Sequence, residues 1–413
     1  MNVDLQYALS DANVDMGQTV SQRQLAISIS ALAPDFQPLK LPLNLCLILD
    51  HSGSMGGRSL DTVKQAACRI VDRLSPHDRI AVVAFDHRAK VLVPSQLLEN
   101  PASIKLQINQ LNAEGGTAID EGLRLGIEEL AIARKDMVSQ AFLLTDGENE
   151  HGSNDRCLKF AKVAADYNLT LNTLGFGDSW NQDILEQIAD MGGGTLSYIE
   201  FPEQAVAEFD RLFNRLQAVG LTNAYLLISL MSGVHLAATK PIAQVTPDTI
   251  ELSLQEELGH HIVRLGDLMI DTPRTVLVNL YLSQTAEGVR TIAQLQVRYD
   301  NPATGQEWLP SETLPVMAHF VSNYQPSPDP AVQQCILTLA KYRQAQIAEA
   351  KLRDGDRVGA ATMLQTAART ALQMGDQGAA TILQDNATRL QVGEELSEAD
   401  RKKTRIASKT ILQ

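Results

Sequence analysis

Leu43-Asn44-Leu45-Cys46-Leu47-Ile48-Leu49-Asp50-His51-Ser52-Gly53-Ser54 is the stretch on which the reading of this chain turns. A short apolar run of this kind suits a buried strand. It breaks at Asp50 into a turn that carries a carboxylate and two hydroxyls on alternating positions, and Gly53 lets the backbone bend there. Oxygen donors arranged this way form part of a hard-cation site. The rest of the shell has to come from elsewhere. Glu114-Gly115-Gly116-Thr117 offers a hydroxyl after a flexible double glycine, and Phe142-Leu143-Leu144-Thr145-Asp146-Gly147 offers a carboxylate at the end of a second apolar strand. In an open parallel sheet, ligands collect at the carboxyl ends of the strands, near the point where strand order reverses. Asp50 and Asp146 are both expected there.

With these elements in hand, residues Leu41 to Val219 resemble the von Willebrand factor A (VWA) domain family and its metal-ion-dependent adhesion site (MIDAS). Asp50, Ser52 and Ser54 fit the family's Asp-x-Ser-x-Ser stretch, Thr117 its separate threonine and Asp146 its separate aspartate. The resemblance implies an α/β fold with a doubly wound, mostly parallel, six-stranded Rossmann-like sheet. It also implies a bound Mg2+, with Mn2+ or Ca2+ accepted. The hydroxyls of Ser52, Ser54 and Thr117 would approach the ion, and Asp50 and Asp146 would act directly or through water. One coordination position would stay open for an acidic residue of a protein partner. An oxygen-only shell argues against zinc. Helix capping by Asp50, Ser52 or Ser54 would account for one of these residues, not for five on three segments. His51 is expected to point away from the site, as alternation along the turn suggests.

Enzyme templates fit poorly. A nucleophile elbow needs Gly-x-Ser-x-Gly, and Ser52 stands where the first glycine belongs. The chain has no Gly-x4-Gly-Lys-Ser/Thr loop, and Gly175-Phe176-Gly177-Asp178 lacks the third glycine of a dinucleotide fingerprint. His260 and His261 are neighbours on a strand-like stretch and point to opposite faces, so they do not chelate one ion together. The expected function is that of an intracellular, non-catalytic, cation-dependent protein-binding protein. One alternative is a partner-recognition subunit of an AAA+ ATPase (chelatase-like) assembly. Another is a metal-dependent hydrolase, for which Glu148 and His151 are the only nearby bases.

Composition narrows the partners. The chain has 413 residues and a formal net charge of −14, which disfavours nucleic acid and anionic membranes. Aromatics make up 5% of it, few for stacking on bases. Cys46, Cys68, Cys157 and Cys335 show no tight spacing and are expected to be free thiols in a reducing, cytoplasmic compartment. No signal-like start and no apolar run of transmembrane length is apparent, so no membrane insertion is expected.

The organisation reads in five parts. Residues 1–38 hold strands of a β-sandwich, 39–219 are the α/β domain, and 220–322 are the rest of the sandwich, with the α/β domain inserted between its two parts. Residues 323–393 begin with the Pro-rich linker Gln325 to Pro330 and read as a helical bundle of three helices, two of them opened by Gly355-Asp356 and Gly375-Asp376. Residues 394–413 are expected to be a basic mobile tail. Its Thr404, Ser408 and Thr410 lie among basic residues that would suit a Ser/Thr kinase.

Overall fold

The computed structural model describes residues 1–32, 41–133, 136–177, 179–257, 259–270 and 272–410. The apolar run forms the strand Leu43–Asp50, buried at every position, as are Val138–Thr145 and Thr170–Phe176. Strands covered on both faces read as near-continuous apolar runs rather than alternating ones, here broken by buried Gln140 and Asn172, which hydrogen-bond each other. They lie in a six-stranded sheet in the order Ala89–Leu97, Arg79–Phe85, Leu43–Asp50, Val138–Thr145, Thr170–Phe176, Gly193–Ile199. All neighbours pair in parallel except the edge strand Ala89–Leu97, which runs antiparallel to Arg79–Phe85. Strand order reverses between Leu43–Asp50 and Val138–Thr145, so Asp50 and Asp146 stand at the switch point.

Six helices belong to this unit: α1 (Arg58–Arg73), α2 (Pro101–Asn109), α3 (Ile119–Ala131), α4 (Asn154–Asp166), α5 (Gln182–Gly192) and α6 (Pro202–Gln217). A 3-10 turn at Gly53–Met55 precedes α1, which buries Val63, Ala66, Ala67, Ile70 and Val71. One face of the sheet packs Leu45, Leu47 and Phe142 against α1 and against Phe209 and Phe213 of α6. The other packs Ile48, Val83 and Leu143 against α3, α4 and α5. A doubly wound sheet of this kind holds the strand ends rigidly while leaving their rim open to ligands.

Two mostly antiparallel sheets form a β-sandwich. One joins Asn2–Leu9, Val20–Leu32, Arg274–Ser283, Ile242–Thr246 and Ile250–Glu251. The other joins Leu254–Glu257, His260–Met269, Val219–Leu230, Gly288–Asn301, Leu314–Val321 and Asn13–Asp15. Leu25, Ile27, Leu226, Ile228, Val276 and Val297 share the core between them. Val20–Leu32 is hydrogen-bonded along Arg274–Ser283, from Val20 opposite Ser283 to Ile29 opposite Arg274. The chain therefore leaves the sandwich after Leu32, builds the α/β unit and re-enters at Val219. The boundary read at 38/39 lies outside the described residues.

Beyond the sandwich come α7 (Pro330–Arg353), α8 (Arg357–Gln373), α9 (Gln377–Gln391) and α10 (Glu398–Lys409). The repeated Gly-Asp pairs explain the turns. Gly355 and Gly375 both take φ +80°, which ends a helix at no steric cost. Asp356 Oδ1 then accepts from the Gly359 N–H at 2.8 Å, and Asp376 Oδ1 from the Ala379 N–H at 3.0 Å, each capping the next helix. Ala360, Ala367, Ala379 and Ala387 let the helices approach closely around Leu364 and Leu383.

The stretch 394–413 differs from the expected mobile tail. Its described part carries α10, which docks on α5 and adds a fourth helix to the bundle. Lys409 Nζ donates to Glu186 Oε1 at 2.9 Å and to Asp190 Oδ1 at 2.7 Å. Arg405 pairs with Asp183, and Lys402 Nζ stands 4.2 Å from the Trp180 ring centroid. Lys402, Arg405 and Lys409 are spaced to share one helical face. Lys409's two partners lie 223 and 219 residues earlier in the chain, so local sequence reads the basic face as solvated. The expected kinase target is also revised: Ser408 is fully buried and donates to the Arg405 carbonyl, while Thr404 Oγ1 accepts from Asn386.

Candidate metal centre

The five residues read from the sequence converge at the switch-point rim. Asp50 ends its strand with no exposed surface. Its Oδ1 accepts the Ser52 N–H at 2.8 Å, which turns the chain so that Ser52 Oγ lies 3.1 Å from Ser54 Oγ. Ser54 Oγ donates to Asp146 Oδ1 at 2.6 Å, closing the turn onto the neighbouring strand's end. The Gly115 carbonyl accepts the Gly53 N–H at 3.0 Å and ties the double-glycine loop to the same turn. That loop is fixed further by Ala118 N–H donating to the Asp86 carbonyl at 2.7 Å and His151 N–H donating to the Thr117 carbonyl at 2.9 Å. A Cβ at Gly147 would lie 3.2 Å from Thr117 Oγ1 and 3.7 Å from Ser54 Oγ, so both hydroxyls face one small gap that glycine keeps free.

The electrostatics are unbalanced. Burial raises the Asp50 carboxyl to about 6, against hydrogen bonds from Thr145 and Ser52 that lower it, and the nearby Asp146 charge adds to the rise. Burial also raises Asp146, opposed by the bond from Ser54. Among the described residues, neither carboxylate has a Lys or Arg partner. Two unpaired carboxylates and three hydroxyls, with no nitrogen or sulfur among them, are a donor set that fits a hard divalent cation. Asp50, Ser52, Ser54, Thr117 and Asp146 are the residues that would hold it.

One partner of this set lies outside the sequence reading. Thr145 Oγ1 donates to Asp50 Oδ2 at 2.5 Å and accepts the Gly147 N–H at 3.2 Å, orienting the carboxylate from behind. Its signal was a hydroxyl next to Asp146 in an otherwise apolar strand. A separate cluster gathers around His51. The His51 ring is buried, its Nδ1 lies 3.0 Å from the Asn112 carbonyl, and no hydrogen bond joins it to the five residues. A ring nitrogen of His51 and carboxylate oxygens of Asp86 and Glu114 lie within 4.8 Å of one another. Glu148 and His151 are exposed on the adjoining loop. His151 covers Gly116, where a Cβ would meet its ring at 2.1 Å.

Comparison with known proteins supports the same outline. The von Willebrand factor type A domain matches residues 44–210, and the Sll0103-like C-terminal alpha-helical domain matches residues 330–413. Protein sll0103 of Synechocystis is 60% identical over 413 residues, covering all of this chain and 98% of that one. Bovine inter-alpha-trypsin inhibitor heavy chain H4 is 25% identical over 253 residues, which are 58% of this chain and 26% of that protein. Among solved structures, a von Willebrand factor type A protein from Catenulispora acidiphila superposes with a TM-score of 0.83 at 16% identity, covering 100% of this chain and 98% of that one. The ArnB paralog VWA2 from Sulfolobus acidocaldarius gives 0.59 at 16% identity over 99% of both chains. At such identities the structural likeness speaks for the fold. Fold, rim geometry and relatives together place this chain in the von Willebrand factor type A domain family, with an Sll0103-like helical domain at its C-terminal end.

Proposed function

We propose that this protein is a non-catalytic binding module that holds Mg2+, with Mn2+ or Ca2+ accepted, through Asp50, Ser52, Ser54, Thr117 and Asp146. The ion presents its open position to an acidic residue of a protein partner. A protein-interaction role is what the family supports. The observation that carries the finer reading is Asp50: a carboxylate with no exposed surface, held by Thr145 and Ser52, beside a second carboxylate and without a cationic side chain. Such a charge is costly to bury unless something positive meets it. A divalent ion supplies that charge, and its incomplete protein shell leaves room for a carboxylate ligand from another molecule.

The rim suits binding better than chemistry. Hydrolysis would need a base positioned against the ion, and Glu148 and His151 lie on the exposed loop. The four cysteines are free, which accords with the reducing compartment proposed for the chain. No helix among the described residues is long and apolar enough to cross a membrane.

The test is calorimetry of the full chain with Mg2+, followed by affinity capture from native extract in Mg2+ or in chelator. Wild type should bind the ion and recover a partner only when it is present. Ser54→Ala/Asp146→Asn should lose both while keeping the circular dichroism spectrum of the wild-type fold. Unchanged Mg2+ affinity in that variant, or capture indifferent to chelator, would overturn the proposal.

A further inference from the structure

We infer that His51, Asp86 and Glu114 form a second cation site, separate from the five-oxygen set and suited to a transition ion that takes a nitrogen ligand, such as Mn2+, Fe2+, Co2+ or Zn2+. Three segments supply it: the turn after Leu43–Asp50, the residue after Arg79–Phe85, and the double-glycine loop. Their backbones are locked together. His51 N–H donates to the Phe85 carbonyl at 2.9 Å, and Glu114 N–H donates to the His51 carbonyl at 2.9 Å. The ligand atoms therefore meet on a fixed frame, within 4.8 Å of one another.

The imidazole gives the second, independent sign. His51 is 3% exposed, and among the described residues only its Nδ1 has a hydrogen-bond partner, the Asn112 carbonyl at 3.0 Å. That partner is a carbonyl, which can only accept, so Nδ1 carries a hydrogen and, in the neutral ring, Nε2 is the nitrogen with the lone pair for an ion. A histidine whose far nitrogen is fixed by a backbone carbonyl is the arrangement that orients metal-ligating imidazoles. The carboxylates are also available. Asp86 Oδ1 accepts the Arg88 N–H at 2.7 Å, and its other oxygen lies 3.3 Å from His87 Nδ1. Among the described residues, neither Asp86 nor Glu114 has a Lys or Arg partner. One nitrogen with two carboxylates suits borderline ions better than Mg2+ or Ca2+, and water would complete the shell.

This site does not depend on occupancy of the five-oxygen set, and the nitrogen ligand makes the two separable. The probe is Mn2+ added to the full chain carrying Ser54→Ala/Asp146→Asn, read by pulsed electron paramagnetic resonance. Nitrogen modulation of the Mn2+ signal is expected, because the donor set of the first site contains no nitrogen. Adding His51→Gln should abolish the modulation. Adding Glu114→Gln, an exposed position whose change spares the core, should weaken Mn2+ binding about tenfold or more. Absence of nitrogen modulation, or modulation and affinity unchanged in both added variants, would overturn the assignment.

Discussion

Asp50→Asn should make the metal-free protein more stable while abolishing its stabilisation by Mg2+. Burial raises the Asp50 carboxyl from 3.8 to about 6 in the folded chain. A carboxyl raised in this way is fully accommodated below pH 3.8, and its contribution to stability is lost as pH rises through about 6. At ~1.36 kcal/mol per pH unit, that interval amounts to about 3 kcal/mol at neutral pH. Asparagine carries no charge to desolvate, but it fits the Thr145 and Ser52 bonds less well, so a net gain of ~1–3 kcal/mol is expected. The assay is urea unfolding in chelator at pH 7.5 and pH 4.5, then at pH 7.5 in saturating Mg2+. In chelator the variant should exceed wild type at pH 7.5, and at pH 4.5 its advantage should be smaller by about 2 kcal/mol. Mg2+ at a hundred times its Kd should add ~2.7 kcal/mol to wild type and nothing to the variant. A variant less stable than wild type at pH 7.5 in chelator, or one that Mg2+ still stabilises, would refute the view that this buried charge awaits a cation.

Two further outcomes concern the helical domain. Lys341→Met removes the only cation beside Asp376 among the described residues and strips donors from the carbonyls of Ala407 and Thr410, all bonded at 2.8 Å. It should cost about 3–5 kcal/mol in urea unfolding, whereas a loss under ~1 kcal/mol would show that the pair is solvated. Arg405→Ala/Lys409→Ala leaves Glu186 buried without its partners on α10. Limited proteolysis should then cut near α10 well before wild type is cut, and equal cleavage rates would contradict the docking.

Much of the candidate site was legible because its signals are local. A turn placing Asp50, Ser52 and Ser54 on alternating positions is a property of twelve consecutive residues, counted from Leu43. Thr117 and Asp146 stand out by their own neighbours, a double glycine and an apolar strand. Thr145 escaped notice because its role depends on facing Asp50 across the sheet at 2.5 Å, a relation that follows from strand register. Alternation along the turn separates His51 from the five residues, but its meeting with Asp86 and Glu114 requires three chain segments to be placed side by side.

The sequence by itself determined the strand-helix alternation, the oxygen-rich turns and the Gly-Asp helix breaks, because each is set by backbone preference and side-chain period within a few residues. Only the tertiary structure decided where buried charges find their partners. Lys409 meets Glu186 across 223 residues, and each offsets the other's buried charge where α10 lies against α5. Periodicity shows which face of a helix is basic, but the long-range fold alone shows what acid lies opposite it.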